Sequence, residues 1–161
     1  MLDKLPKLSN NASICSVCQL GKISRKPFPL SSSNRTKSKL ELIHSDIGGP
    51  LSEESLNGSK FYLLFIDDMT RWSWIFFMKF KSEVFTLFKN FKTRVEFETG
   101  HRIKTLRTDN GGEYTSNEFT QFLNQQGIAH QLTAPYTHQQ NGVSERKNRI
   151  VMDMSKCLLY H

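Results

Sequence analysis

The chain has 161 residues, enough for one ordinary domain with a short additional segment, and its net charge at neutral pH is +7. Its three cysteines are too few for a disulfide-stabilised scaffold, and its longest apolar runs, 61–66 and 74–78, are too short to cross a bilayer. No signal peptide precedes the cysteines, so the sequence predicts an intracellular, soluble protein without a membrane partner. The positive charge favours a polyanionic partner, with nucleic acid ahead of a membrane surface.

The N-terminal part of the chain shows no pattern typical of a folded core. Residues 1–18 contain Cys15 and Cys18, which have the spacing of half a zinc site, but no histidine precedes Cys15. Because a tetrahedral structural site needs four ligands, we do not expect this chain to bind zinc. Residues 19–39 are rich in serine and contain six Lys or Arg residues and no acidic residue. This composition predicts a basic linker, which could be simply solvated or could also follow a phosphate backbone.

From residue 40 the pattern becomes that of a globular domain and begins with three strands. Segments 40–46, 61–67 and 72–80 are rich in aromatic and β-branched residues. The first ends at Gly-Gly-Pro, and the second and third are joined by Asp-Asp-Met-Thr, which is typical of a hairpin. We therefore expect three successive antiparallel strands.

The apolar period then changes to that of a helix. Apolar side chains recur at helical spacing from Val84 to Val95, with Ser82 as a plausible cap and Gly100 as a stop. A short strand over 103–108 follows this helix and runs into a turn of Asp-Asn-Gly-Gly.

The remaining elements alternate between helix and strand. Thr115 and Glu118 have the spacing of a capping box for a helix that ends at Gly127, and a fifth strand is expected over 128–132. A polar loop then leads to a last helix over 143–159.

In the last helix, Ile150, Met154 and Leu158 are expected to face inward. The complete order, β-β-β-α-β-α-β-α, combines a meander with crossover units. It predicts an α/β fold with a mixed five-stranded sheet flanked by helices.

Three acidic residues lie where these elements begin or end. Asp46 closes the first strand, Asp109 closes the fourth, and Glu145 lies in the first turn of the last helix, with the 35 residues 110–144 between the last two. If the first and fourth strands are parallel neighbours, their carboxylates meet at the sheet edge where open α/β sheets bind ligands. Clustered carboxylates repel one another unless a divalent cation joins them, and paired cations in such a cluster perform phosphoryl transfer.

Each of these acids also has a purely structural interpretation. Asp46 and Asp109 precede glycine-containing turns, and Glu145 is well placed to interact with the helix dipole and with a basic residue one turn later. Asp67 and Asp68, at the hairpin tip, are interpreted as turn residues.

The segments around the three acids carry a resemblance to a known family. LELIHSD, FYLLFIDD, LRTDNGGEYTS and PYTHQQNGVSERKNR, together with the D,D-35-E spacing, resemble the copia-type LTR-retrotransposon integrases, retroviral-type enzymes cut from a Pol polyprotein. The resemblance implies a ribonuclease H-like fold. It implies that residues 1–18 are a remnant of an N-terminal zinc-binding (pre-integrase) region, 19–39 the basic linker, and 40–161 the catalytic core, truncated at its C-terminal end.

The resemblance also implies an activity: DNA integration by a polynucleotidyl transferase and endonuclease that processes DNA 3′ ends and then transfers strands. Asp46 would bind both of two Mg²⁺ or Mn²⁺ ions, with Asp109 and Glu145 each completing one. The implied partner is double-stranded DNA, both element ends and target. The full-length parent would be a homo-oligomer, located in the nucleus or in a virus-like particle.

Candidate DNA contacts lie beside Glu145. The polar, glycine-ended loop before the last helix matches the family loop that lies against the DNA end, and basic residues on the helix can meet phosphates. These candidates are Tyr136, Gln139, Gln140, Asn141, Arg146, Lys147 and Arg149. For the basic residues, a solvated helix face is the alternative.

Two other functions compete with DNA integration as interpretations of this sequence. A truncated, catalytically inactive transposon relic would retain only the fold and weak nucleic-acid binding. A cellular ribonuclease H is disfavoured by the segments GGEYTS and PYTHQQNG.

Overall fold

A mixed five-stranded sheet forms the centre of the protein. The computed structural model describes residues 35–133 and 142–159, with side chains to residue 155. In chain order these residues form β1 (Leu42–Gly48), β2 (Phe61–Asp67), β3 (Ser73–Met78), a 3₁₀ turn (Lys81–Glu83), α1 (Val84–Thr99), β4 (Thr105–Thr108), α2 (Gly112–Thr115), α3 (Asn117–Gln126), β5 (Ala129–Leu132) and α4 (Gly142–Leu159). The predicted order is confirmed, with the 3₁₀ turn and the short α2 as additions.

The strand order is β3-β2-β1-β4-β5. β1 pairs antiparallel with β2 and parallel with β4, so the predicted parallel neighbours are confirmed. Asp46 lies opposite Leu64, and His44 lies opposite Ile66. Residues directly opposite in an antiparallel pair project to the same face. We call this side of the sheet the α4 face, because α4 packs against β1 and β2 there.

The other side of the sheet, the α1 face, carries the aromatic core. The ring of Phe65 stacks on Phe91 of α1 with centroids 4.2 Å apart and planes 8° from parallel, and Phe88 packs on Phe119 of α3 at 5.2 Å. The predicted apolar stripe of α1 is buried as expected. Gly100 ends that helix with a left-handed φ of 67°, a conformation that glycine adopts without strain.

Two predicted helix caps are wrong. Ser82 lies inside the 3₁₀ turn, and the carboxylate of Glu83 instead accepts two backbone N–H hydrogen bonds at 2.8 Å. Ser116, rather than Thr115, caps α3, because its hydroxyl accepts from the backbone N–H of Phe119 at 3.3 Å. The residues before Ser116 are already used by the helical turn α2.

The inner surface of α4 also differs from the prediction. Ile150 and Met154, expected to face inward, are 45% and 62% exposed, and the side chain of Leu158 lies outside the described residues. Ser144 is fully buried, and Asn148 points at a carboxylate of β1. α4 therefore meets the sheet partly through polar groups. No helix in the described part of the chain is both long and apolar enough to cross a membrane.

The compact unit begins at Arg35, ahead of Leu40, where the sequence pattern places the start of the domain. The carboxylate of Asp68 accepts hydrogen bonds from the backbone N–H of Thr36 at 3.0 Å and from its hydroxyl at 3.3 Å. Asp67 accepts from the backbone N–H of Leu40 at 2.9 Å. The two hairpin acids are 1% and 6% exposed, so they join the entry segment to the hairpin.

Replacing Phe91 by alanine should destabilise the protein by about 3–5 kcal/mol, because it removes a buried ring from the centre of the aromatic core. Phe97 lies on the same helix but is 91% exposed. Phe97→Ala should therefore change the free energy of unfolding by less than about 0.5 kcal/mol. Urea unfolding followed by circular dichroism measures both, and equal losses would contradict the assignment of the core to the α1 face.

Candidate active site

Asp46 lies at the centre of the candidate site. Its side chain is on the α4 face, and its pKa is raised from the ordinary 3.8 to about 6. Burial is the largest cause, the charge of Asp109 is the next that raises it, and the charge of Glu145 also contributes. The fold therefore brings these three carboxylates, from distant parts of the sequence, into electrostatic range of one another.

The parallel pairing of β1 with β4 explains why Asp109 approaches Asp46. His44 is paired with Arg107, so both strands end at the same edge of the sheet. Asp109 follows β4 directly and is exposed. Its Oδ1 also accepts from the backbone N–H of Gly111 at 3.0 Å, which is the turn geometry that its sequence predicts. The same residue thus shapes its loop and presents a carboxylate at the site.

A buried hydrogen bond joins the two segments that carry these acids. The hydroxyls of Ser45 and Tyr114 are 2.7 Å apart, and both residues are fully buried. Ser45 directly precedes Asp46, and Tyr114 lies on α2, shortly after Asp109. This contact on the α1 face fixes the end of β1 against the turn that follows β4.

Tyr62 encloses the site from the β2 side. It lies opposite Gly48, where a Cβ atom would overlap the tyrosine ring, so only glycine fits there. Tyr62 is 5% exposed. Its pKa is raised by burial and, to a smaller extent, by the charge of Asp46. The buried ring therefore lies close enough to Asp46 for the charge of that carboxylate to act on it.

Asn148 holds Asp46 in place and was missed by the sequence analysis. Its Nδ2 donates to Oδ2 of Asp46 at 2.6 Å, and the other carboxylate oxygen, Oδ1, accepts from the backbone N–H of Ile47 at 3.0 Å. Both bonds lower the pKa of Asp46, but burial and the charges of Asp109 and Glu145 together raise it by more. The signal in the sequence was the spacing, because a residue three positions after Glu145 lies on the same side of a helix.

The remaining predicted residues fall into two groups. Arg146 and Lys147 line a surface cavity with Arg35 and Arg71, whereas Arg149 is exposed on α4 outside that lining. The rest lie outside the described residues, so their predicted roles stay predictions: Cys15, Cys18, Tyr136, Gln139, Gln140 and Asn141.

The donor atoms at the site suit a hard cation. Asp46, Asp109 and Glu145 offer only oxygen, and Oδ1 of Asn148 is buried without a hydrogen-bond partner among the described residues. In the same part of the chain, no three His, Cys, Asp or Glu side chains are close enough to hold one ion together. The three acids therefore interact electrostatically without forming a closed set of three ligands around one point.

Comparison with known proteins identifies the family. The profile of the Integrase core domain matches residues 36–138, more than half of the chain. The chain belongs to the integrase core domain family. It is 44% identical over 145 residues to the retrovirus-related Pol polyprotein from transposon TNT 1-94 of Nicotiana tabacum, a match that covers 90% of this chain and 11% of that protein. It is 40% identical over 149 residues to the corresponding polyprotein from transposon RE2 of Arabidopsis thaliana, covering 91% and 10%.

The integrase core spans about a tenth of the length of these curated relatives. A chain in the cryo-EM structure of the simian T-cell lymphotropic virus intasome in complex with PP2A regulatory subunit B56 gamma has a similar fold. The TM-score is 0.67 at 23% identity, covering 91% of this chain and 49% of that one. The ribonuclease H-like fold and the resemblance to retrotransposon integrases, both predicted from the sequence, are confirmed.

Replacing Asn148 by alanine should raise the pKa of Asp46 further above 6, because the carboxylate loses a hydrogen bond that favours its charged form. An NMR titration of the carboxyl carbons measures this shift. Ser155→Ala, on the same helix, is the matched control, since the Ser155 hydroxyl donates only to the backbone of Val151. An unchanged Asp46 titration in Asn148→Ala would show that this bond does not hold the carboxylate.

The raised pKa of Asp46 also predicts how stability depends on pH. The folded state holds this proton more tightly than the unfolded state, so in metal-free buffer stability is lost as pH rises from about 4 to about 6. Asp46→Asn removes the effect and should gain on the order of 2 kcal/mol relative to wild type across that window. Glu118→Gln, at an exposed acid, is the control. Parallel stability curves for wild type and Asp46→Asn would contradict the raised pKa.

Proposed function

We propose that this integrase core domain catalyses metal-dependent DNA integration, with Asp46, Asp109 and Glu145 as the metal-binding carboxylates. The observation that carries the proposal is the raised pKa of Asp46, caused in part by the other two acids. Mutual repulsion of carboxylates opposes folding at neutral pH. Three acids from separate elements are therefore better explained by a cation-dependent function than by stability.

A two-ion arrangement is compatible with the mutual electrostatic effects of the three carboxylates. Each ion would be held by a pair of carboxylates, Asp46 with Asp109 and Asp46 with Glu145, whose charges act on one another. Bound Mg²⁺ or Mn²⁺ would activate the attacking oxygen and stabilise the leaving oxygen of an in-line displacement. The pairwise division follows the family resemblance and uses Asp46 as the shared residue.

The residues of the chain position and enclose this chemistry. Asp46 is mostly ionised above its pKa of about 6, and Asn148 orients one of its oxygens. The buried ring of Tyr62 lies opposite Gly48 at the end of β1, and the bond between Ser45 and Tyr114 keeps β1 against α2. Such rigid support suits phosphoryl transfer, in which positioning and electrostatics supply most of the catalysis.

The proposed reaction has two displacements at phosphorus. Water first attacks a phosphodiester near the 3′ end of the element DNA, and the 3′ oxygen leaves. The freed 3′-hydroxyl then attacks a phosphodiester of target DNA, whose own 3′ oxygen leaves. The net charge of +7 and the basic residues of α4 support double-stranded DNA as the partner. The Pol polyprotein relatives and the intasome neighbour support the same partner and an oligomeric parent.

Asp109→Asn and Glu145→Gln should each reduce activity by at least about 100-fold, because each removes a charge that would hold a cation. The assay uses a branched DNA that mimics the integration product and follows the reverse reaction in magnesium or manganese. Glu118→Gln removes an exposed acid from α3 and should leave turnover unchanged.

Equal turnover in wild type and Asp109→Asn would contradict the proposed activity and favour the alternative, an inactive relic that binds DNA. A metal titration of thermal stability gives a second readout. At a pH above 6, millimolar magnesium should raise the midpoint temperature of thermal unfolding more in wild type than in Asp109→Asn. A ligand that binds only the folded state stabilises that state. A midpoint that does not respond to metal would argue against an assembled site.

A further inference from the structure

A basic cavity lies on the α4 face beside the candidate active site. It has a volume of about 280 Å³, and its lining includes four cationic side chains, Arg35, Arg71, Arg146 and Lys147. None of the described residues that line it is acidic. Its size is at the lower end of ordinary small-molecule pockets, so it suits a compact group rather than a large ligand. We call it the basic cavity.

The four cations are supplied by three separate parts of the fold. Arg35 is at the start of the compact unit, Arg71 is in the β2–β3 hairpin, and Arg146 and Lys147 are in the first turns of α4. Buried Ile66 contributes to the floor. Cations collected around one cavity repel one another, and an anion placed among them relieves that repulsion.

The positive charges of the basic cavity are mostly uncompensated. Arg71 donates through Nη1 to Oδ1 of Asp68 at 3.0 Å, a carboxylate that is 6% exposed and also bonded to His44. Among the described residues, no carboxylate lies within ion-pair distance of Arg35, Arg146 or Lys147. Asp68 therefore orients one guanidinium and leaves the other three cations available for an external anion. Arginine matches phosphate geometry particularly well.

The sheet register gives the cavity a position relative to the carboxylates. Asp46 is paired with Leu64, and Ile66 lies two residues farther along β2 on the same face. Two residues of a strand span about 7 Å. Neighbouring phosphates of one DNA strand are roughly 7 Å apart, so this separation corresponds to about one nucleotide, or about two when the cavity side chains extend it.

We propose that the basic cavity binds a backbone phosphate of the reacting DNA strand, about one or two nucleotides from the phosphate that lies at Asp46, Asp109 and Glu145. The proposal rests on the proposed function for the position of the reacting phosphate. It assigns Arg35 and Arg71 to the DNA interface, places Arg146 and Lys147 in a defined contact, and leaves Arg149 outside it. Such a contact sets the register of the strand without reading its sequence.

The first test measures DNA binding by variants that all carry Asp109→Asn, so that turnover of the DNA does not interfere. Arg35→Gln combined with Arg146→Gln removes two cations that make no ion pair among the described residues. The matched control, Arg94→Gln combined with Arg102→Gln, removes the same charge from α1 and from the segment before β4. The control pair lies away from the α4 face and the active edge.

Fluorescence anisotropy with the branched DNA, between about 50 and 200 mM salt, should show a selective loss for the cavity variant. Its affinity should fall roughly 3- to 10-fold below that of the control, and the slope of log K against log salt should become shallower by about one unit. Equal affinities and equal slopes for the two variants would overturn the proposal. Circular dichroism verifies that both remain folded.

The second test locates the contact along the strand. Single methylphosphonate linkages, which are uncharged, replace each phosphate near the branch point in turn. A linkage about one or two nucleotides from the branch should weaken binding of the control variant and leave binding of the cavity variant unchanged, because the cavity variant has already lost the cations that contact this phosphate. The same position-dependent losses in both variants would overturn the proposal.

These binding tests separate the inference from the proposed function. Coupling between the cavity variant and one linkage, together with a wild-type protein that shows no reverse reaction, would support the phosphate contact and reject the activity. Activity that depends on Asp109, without any such coupling, would do the reverse. Stabilisation by inorganic phosphate through the cavity, with no response to methylphosphonate, would mark a small-anion site and also overturn the proposal.

Discussion

The parallel pairing of β1 with β4 is the constraint on which the candidate site depends. β1 is the central strand, bonded to β2 on one side and to β4 on the other. Because parallel strands end at the same edge, the residues that close β1 and β4 are brought together whatever their separation in the sequence. α4 then crosses the α4 face and adds Glu145 and Asn148 from the other direction. Sheet topology therefore assembles the carboxylates.

This assembly opposes stability locally. Burial and like charge raise the pKa of Asp46 to about 6, so its ionised form is disfavoured in the folded protein. Several contacts offset the effect: the hydrogen bond from Asn148, the bond between Ser45 and Tyr114, and the aromatic core on the opposite face. The core is continuous and apolar, whereas the α4 face is polar where the acids lie. Buried like charges beside a well-packed apolar core are expected to mark a functional site.

α4 has a different role on each of its sides. Toward Asp46 it presents Asn148, and toward the hairpin it presents Arg146 and Lys147 to the basic cavity. Carboxylates that suit cations and cations that suit phosphates thus lie on either side of one helix. A rigid helix fixes the distance between the two kinds of group, which suits the proposed binding of a DNA strand in register at the proposed metal site.

Much of this protein is determined by its sequence alone, and the rest was decided by packing. The periods of apolar residues predicted five strands, the helices and the mixed sheet, and the motifs around Asp46 and Asp109 predicted the family, because these signals are local or are carried by long matched segments. The caps at Ser82 and Thr115 were wrong, since a 3₁₀ turn and a short helix compete for the same residues. The contact of Asn148 with Asp46, the exposure of Ile150 and the cavity shared by Arg35 and Arg71 arise only in the tertiary structure. They depend on how α4 is rotated against the sheet, and helical periodicity gives the spacing of side chains along α4 without saying which side will meet a carboxylate.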